Sequence, residues 1–270
     1  MPPSDYVHGY GSRERERLGD QAETLADLLH EGTHYPDGSR VLEIGCGVGA
    51  QTRILARNSP EAHFVSIDLS PASVEAARRA MAQIGIRNVR FEVGDLFDLE
   101  YPDGSFDHLF VCFVLEHLDR PADALRGVRR LLARAGTLTV IEGDHASAIY
   151  HPRSDDAQFT IDCLVEAQAR AGGDGRIGRR LFPLLCEAGY SDVSVRPKVV
   201  YADSSRPGWV SGFTRKTFIA MVEGARQRCI DLGLADATRF DRGIRDLERS
   251  AGPDGTFTYL FYKATAKKRS

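Results

Sequence analysis

The sequence predicts an α/β fold built on a doubly wound, mostly parallel sheet. Three observations carry that prediction. Between Arg40 and Glu142, short β-rich segments alternate with amphipathic helical ones, the order that right-handed βαβ crossovers produce. A GxGxG run, Gly45-Cys-Gly-Val-Gly49, stands where the first of these strands gives way to the first of these helices. Carboxylates recur around the ends of successive strands, at Glu43, Asp68 and Asp95, positions that converge on one crevice in a doubly wound sheet.

Composition supports a packed domain. Of 270 residues, 42% are hydrophobic and 27% charged, which excludes a disordered or collagen-like chain. Thirty-five Lys and Arg against 38 Asp and Glu leave a net charge of -3, with no cationic excess to hold a phosphate backbone, so nucleic acid is not an expected partner. Five cysteines without a CxxC pair or clustered histidines read as reduced thiols in a cytoplasmic protein, with no metal site expected. The start, Met-Pro-Pro-Ser-Asp-Tyr, lacks a signal-peptide pattern, and no apolar run approaches the ~20 residues of a membrane span, so no membrane association is expected.

Taken in order, Leu18, Ala22, Leu25, Leu28 and Leu29 recur at helical spacing and predict an amphipathic helix over Glu14 to Leu29. Residues 1–36 are thus an N-terminal cap segment and helix, and residues 37–270 the main domain. After the turn Tyr35-Pro-Asp-Gly38, strands are expected at Arg40 to Ile44, Ala62 to Ile67, Val89 to Val93, His108 to Phe113 and Thr137 to Glu142. Helices are expected from near Gln51, over Ser73 to Gly85 and over Pro121 to Leu132. A helix around Arg180 to Ala188 precedes two further strands, Val193 to Val200 and Thr256 to Tyr262. Two largely helical insertions, at about 143–178 and 202–255, interrupt this rhythm, and insertions that long commonly cap a binding site. Lys267 to Ser270 reads as a solvated basic end.

The glycine run supplies backbone without Cβ, able to turn sharply and show its amides to a ligand. Asp68 suits both hydroxyls of a ribose, and Asp95 a donor such as an exocyclic amine. A nicotinamide-dependent oxidoreductase also places a carboxylate about 20 residues beyond a glycine loop. Here the glycines run GxGxG and not GxGxxG, and a carboxylate precedes them, which favours a cationic nucleoside bearing an amino group over a pyrophosphate. A cofactor-binding protein without turnover is a further alternative.

Val41-Leu-Glu-Ile-Gly-Cys-Gly-Val-Gly49, Ser66-Ile-Asp68, Gly94-Asp-Leu96, Phe106-Asp-His108 and Val114-Leu-Glu-His117 resemble the successive motifs of class I S-adenosylmethionine-dependent methyltransferases. The resemblance implies a Rossmann-like, seven-stranded sheet with an antiparallel last strand and helical lid insertions. It also implies S-adenosylmethionine as cofactor and S-adenosylhomocysteine as product. Carried over by position, Gly45, Gly47 and Gly49 lie under the methionine portion, Asp68 binds the ribose with Leu69 beside it, and Asp95 and Leu96 hold the adenine. Glu43 orients the loop, Phe113 offers backbone to the amino acid end, and His117 lies near the sulfonium or caps the following helix. Asp20-Gln21, Val140-Ile-Glu-Gly-Asp-His145, Tyr150-His-Pro152 and Tyr201 to Arg206 are similar to stand-alone bacterial small-molecule methyltransferases, some acting on carbon of indole-type precursors. The acceptor so implied is a small organic molecule, a secondary metabolite or an aromatic compound. A homo-oligomer formed through the N-terminal segment or the insertions stays open.

On the acceptor side, Glu142, Asp144 and His145 follow the fifth strand and His151 lies on the same connection. His145 and His151 are the candidate bases there, against the plain reading of a helix-capping Asp144 and surface histidines. Tyr10, with Tyr6, is a candidate to cover the sulfonium by its ring face or to bond the substrate by its hydroxyl, against ordinary packing. Phe213, Phe218, Ile219, Met221 and Val222 form an apolar stripe that is either core or substrate wall, with Trp209 nearby. Cys46 suits tight packing in the loop and not nucleophilic catalysis.

Overall fold

The computed structural model describes residues 24–269. Tyr6, Tyr10 and most of the helix expected over Glu14 to Leu29 lie outside the described residues; residues 24–30 are helical (α1). Seven strands follow: β1 Arg40–Ile44, β2 His63–Asp68, β3 Val89–Val93, β4 Phe106–Cys112, β5 Leu132–His151, β6 Tyr190–Asp203 and β7 Thr256–Lys268. They form one sheet in the order β3-β2-β1-β4-β5-β7-β6, with parallel pairing from β3 through to β5 and an antiparallel last strand.

Local chemistry accounts for the regular part. In β1, Val41 to Ile44 are all buried, as a central parallel strand covered on both faces requires. Helix α2, Ala50–Asn58, starts directly after the glycine run. Helix α3, Pro71–Gln83, opens with proline in its first turn and with the Ser70 hydroxyl accepting the Ser73 amide, an N-cap that satisfies an otherwise orphaned donor. Helices α4, Pro121–Arg129, α5, Asp155–Arg170, and α6, Leu181–Glu187, complete the alternation.

Two expectations are corrected. The fifth strand does not end at Glu142; β5 continues to His151, so the first insertion opens as strand and becomes helical only with α5. Gly143 begins the expected insertion, but a Cβ there would stand 2.4 Å from the Tyr259 hydroxyl, so this glycine admits a close neighbour within a continuing strand. The basic end is not a frayed tail up to Lys268. Lys267 pairs with Asp192 at 3.0 Å, and Lys268 donates to the carbonyls of Arg130 and Leu132 at 3.1 and 2.6 Å.

The chain divides into two compact units. One comprises Ala26–Glu142, Ile177–Pro197 and Tyr262–Ser270, and its core joins Leu42, Ile44, Leu109, Val111, Leu138 and Val140 to Leu181 and Leu185. The other comprises Gly143–Arg176 and Lys198–Phe261 with the described residues up to Leu25. Its centre is aromatic: Tyr259 lies 5.4 Å from Phe213, 5.5 Å from Phe218 and 4.8 Å from Phe261 between ring centroids. The stripe of the second insertion is therefore core, with Phe213, Phe218, Ile219, Met221 and Val222 all buried. Phe213 and Phe218 are carried by a π-helical segment, Val210–Ile219. Trp209 packs against Ala202, Val210 and Ala251, with the Arg206 guanidinium 5.4 Å over its ring. Among the described residues no helix is long and apolar enough to cross a membrane.

Candidate functional site

Strand register brings the motifs to one edge. Ile44 lies opposite Ile67 and Val111, Asp68 opposite Val93, and Cys112 opposite Ile141. The glycine loop, Asp68, Gly94-Asp95 and Phe113 therefore all leave neighbouring strands at the carboxyl end, as a doubly wound sheet requires for a shared site, with Glu142 level with them inside β5.

The loop is held by its neighbour strand. The amides of Gly45 and Cys46 both donate to the Ile67 carbonyl, at 2.8 and 2.9 Å. Gly45 has φ 75, and a Cβ on it would lie 2.3 Å from Cγ2 of Val114. Gly47 also has positive φ, 53, yet among the described residues nothing lies within 4 Å of where its Cβ would be. The backbone there faces open space, the condition for a ligand to approach it closely. Gly49 is the N-cap of α2. Cys46 is buried, and burial pushes its thiol upward, away from the reactive thiolate.

Glu43 lies beneath the loop, buried on β1. Its Oε2 accepts the hydroxyls of Thr52 on α2 and Ser66 on β2, each at 2.6 Å. One carboxylate thus ties together the strand before the loop, the helix after it and the adjacent strand. Burial raises its pKa to about 7 against the pull of those two hydroxyls, with the charge of Asp68 adding to the rise.

Asp68 accepts the Gly47 amide on Oδ2 at 2.8 Å and the Ser70 amide on Oδ1 at 2.9 Å. Leu69 beside it is half exposed, unusual for a leucine at the end of a buried strand. Across the next strand end, exposed Asp95 accepts the Phe97 amide at 2.9 Å, and Leu96 is partly buried. Phe113 takes φ 57, a left-handed conformation that a bulky residue holds only at a cost. The next two amides, of Val114 and Leu115, donate to Oε1 of Glu142 at 3.0 and 2.7 Å. His117 ends the short 3-10 turn Leu115–His117, with its Nε2 3.7 Å from Glu116.

The acceptor-side candidates belong to the other unit. His145 is a buried β5 residue and not a loop residue: Nδ1 meets the Tyr259 hydroxyl at 2.8 Å, Nε2 lies 3.4 Å from the Gln168 amide nitrogen, and its own amide donates to Gly175 at 2.8 Å. Asp144 is likewise buried. His151 ends β5 and is exposed. Tyr10 lies outside the described residues. Thr52, Gln168 and Tyr259 were not singled out in the sequence, and Ser66 only as part of the Ser66-Ile-Asp68 motif. Ser66 alone left a signal, as a polar residue inside an apolar strand.

The donor set fits a nucleoside with an amino acid end: an open backbone at Gly47, a two-oxygen acceptor at Asp68, a second acceptor at Asp95, and apolar side chains at Leu69 and Leu96. Among the described residues no group of three or more His, Cys, Asp or Glu side chains could hold a metal ion. A family model described as a methyltransferase domain matches residues 36–182, more than half of the chain. The chain belongs to the methyltransferase domain family. The methyltransferase motifs are thus of the class I, S-adenosylmethionine-dependent kind they resemble, and the nicotinamide alternative is left without support.

This methyltransferase chain is similar to an uncharacterized 37.1 kDa protein in transposon TN4556 of Streptomyces fradiae, 31% identical over 220 residues, 78% of this chain and 62% of that one. It is similar also to ajmaline N-methyltransferase of Rauvolfia serpentina, 30% identical over 130 residues, 48% of this chain and 44% of that one. The chain thus spans less than two thirds of either relative's length. Among solved structures, the YcgJ protein of Bacillus subtilis shares the fold with a TM-score of 0.60 at 15% identity, over 92% of this chain and 99% of that one.

Proposed function

We propose that the protein binds S-adenosylmethionine and methylates a small organic acceptor, an aromatic or indole-type secondary metabolite. The observation that carries this reading is the pairing of the open Gly47 backbone with the Asp68 carboxylate at the edge where Asp95 and Phe113 also emerge. When bound, the cofactor supplies a methyl carbon on a sulfonium, open to in-line displacement by a positioned nucleophile. Asp68 accepts the ribose hydroxyls, and Asp95 accepts the adenine amine with Leu69 and Leu96 against the ring. Glu43 holds the glycine loop through Thr52 and Ser66. The backbone at Phe113 receives the amino acid end, and His117 stands toward the sulfonium.

On the acceptor side, a general base must reach a proton. His151 is exposed, whereas His145 is buried with its Nδ1 against the Tyr259 hydroxyl, so His151 is the better placed of the two. Tyr10 covers the sulfonium in this reading. The presence of ajmaline N-methyltransferase among the relatives favours a small acceptor.

Calorimetric titration with S-adenosylhomocysteine and, separately, NADH tests the cofactor. Micromolar binding of the first and none of the second is expected; NADH binding alone overturns the reading. Labelled methyl transfer to a panel of indoles, phenols and amines then tests the acceptor class, and turnover confined to protein substrates would overturn it.

A further inference from the structure

Glu142 enters none of the roles above, yet it is wholly buried at the carboxyl end of the sheet. Its Oε1 gathers the consecutive amides of Val114 and Leu115, the Glu116 amide also bonds the carboxyl, and its Oε2 is buried without a hydrogen bond of good geometry among the described residues. A carboxyl group buried in such a place is costly, so Glu142 needs a reason beyond filling space. The turn it grips supplies one. Phe113 immediately before that turn is held left-handed at φ 57, with its amide donating to the Ile141 carbonyl at 3.0 Å. Val114 within the turn projects Cγ2 to 2.3 Å from where a Gly45 Cβ would be. Displacing the turn therefore moves both the Phe113 backbone and the wall of the glycine loop.

We infer that Glu142 is a positioning residue that clamps the Val114–Leu115 turn and so sets the Phe113 backbone for the amino acid end of the cofactor. This inference rests on the cofactor reading proposed above. Burial, and then the charge of buried Glu116 on the same turn, push its carboxyl above the ordinary carboxylate range, against the pull of the backbone amides it accepts. An amide at this position should serve as well, since its carbonyl accepts the same two N–H groups. Methionine, of similar volume, cannot accept them. Aspartate, shorter by one methylene, cannot reach both.

The test compares S-adenosylhomocysteine with 5′-methylthioadenosine, which carries the same nucleoside but no amino acid end. Calorimetry on Glu142→Met and Glu142→Asp should show S-adenosylhomocysteine binding weakened tenfold or more, with methylthioadenosine within about twofold of the parent protein. Glu142→Gln should keep both affinities. A general loss of structure would weaken both ligands alike, and that result overturns the inference, as does unchanged S-adenosylhomocysteine affinity in the Met or Asp variant. If one of these two variants does not fold, the other decides. Should the parent protein bind neither ligand, the cofactor reading itself fails, an outcome visible before any variant is made.

Discussion

The amide of Gly47 donates to the carboxylate of Asp68 across 2.8 Å. The acid expected to bind a ribose is therefore oriented by the same loop that leaves space for the ligand, and Ser70 fixes its other oxygen. Preorganisation of this kind removes ordering costs at the moment of binding.

Replacing Asp68 tests that arrangement. Asp68→Ala should weaken S-adenosylhomocysteine binding by roughly 1.5–3 kcal/mol, the size of hydrogen bonds to a charged group. Calorimetry reads it directly, and unchanged affinity would remove Asp68 from the site.

Two glycines of the loop should respond differently to the same change. Gly45→Ala sets a methyl against Val114 in addition to straining φ, so its main effect should be a lower melting temperature. Gly47→Ala meets no neighbour among the described residues, costing only about 1–2 kcal/mol of backbone strain, but places a methyl in the proposed cofactor site. Its loss of cofactor affinity should exceed its loss of stability, measured by calorimetry beside thermal melts. Equal sensitivity at the two positions would contradict this account.

Glu43 makes stability depend on pH in a defined direction. Its folded pKa is raised by burial to about 7 from an ordinary value of 4.5, so the folded state binds its proton more tightly than the unfolded state. Its contribution is fully present below pH 4.5 and is lost as pH rises towards 7. Glu43→Gln carries no titrating proton, and the melting temperature of the variant minus that of the parent should climb across this window and level off above it. A difference that stays flat from pH 4.5 to 8 would show that Glu43 is not so perturbed.

Lys263 offers a test away from the site. Its buried ammonium donates to the carbonyls of Leu29 and Glu31 at 3.1 and 2.8 Å and to the Thr33 hydroxyl at 2.5 Å, tying the end of α1 to β7. Lys263→Met keeps the aliphatic stem and drops the donors. Denaturant unfolding should show a loss of about 1.5–3 kcal/mol, whereas a loss below ~0.5 kcal/mol would mark the contact as dispensable.

The regular βα half was legible before any coordinates. Arg40–Ile44 and Val89–Val93 are bounded by turn residues and coincide with the expected strands, because periodicity and breakers are local properties of the chain. Asp68 and Asp95 were placed at strand ends by the same local logic, and the register between strands then put those ends side by side. Contacts between distant residues left no such trace. His145 bonds Tyr259 from 114 positions away, and Glu43 finds Thr52 and Ser66 only once a helix and a strand close over it. The continuation of β5 past Gly143 was not legible, because sequence shows a missing side chain but not the hydroxyl that fills its place. Short-range order thus follows from the residues in succession, while Glu142 at its turn and Tyr259 against His145 depend on burial and packing, which bring together groups that no spacing along the chain connects.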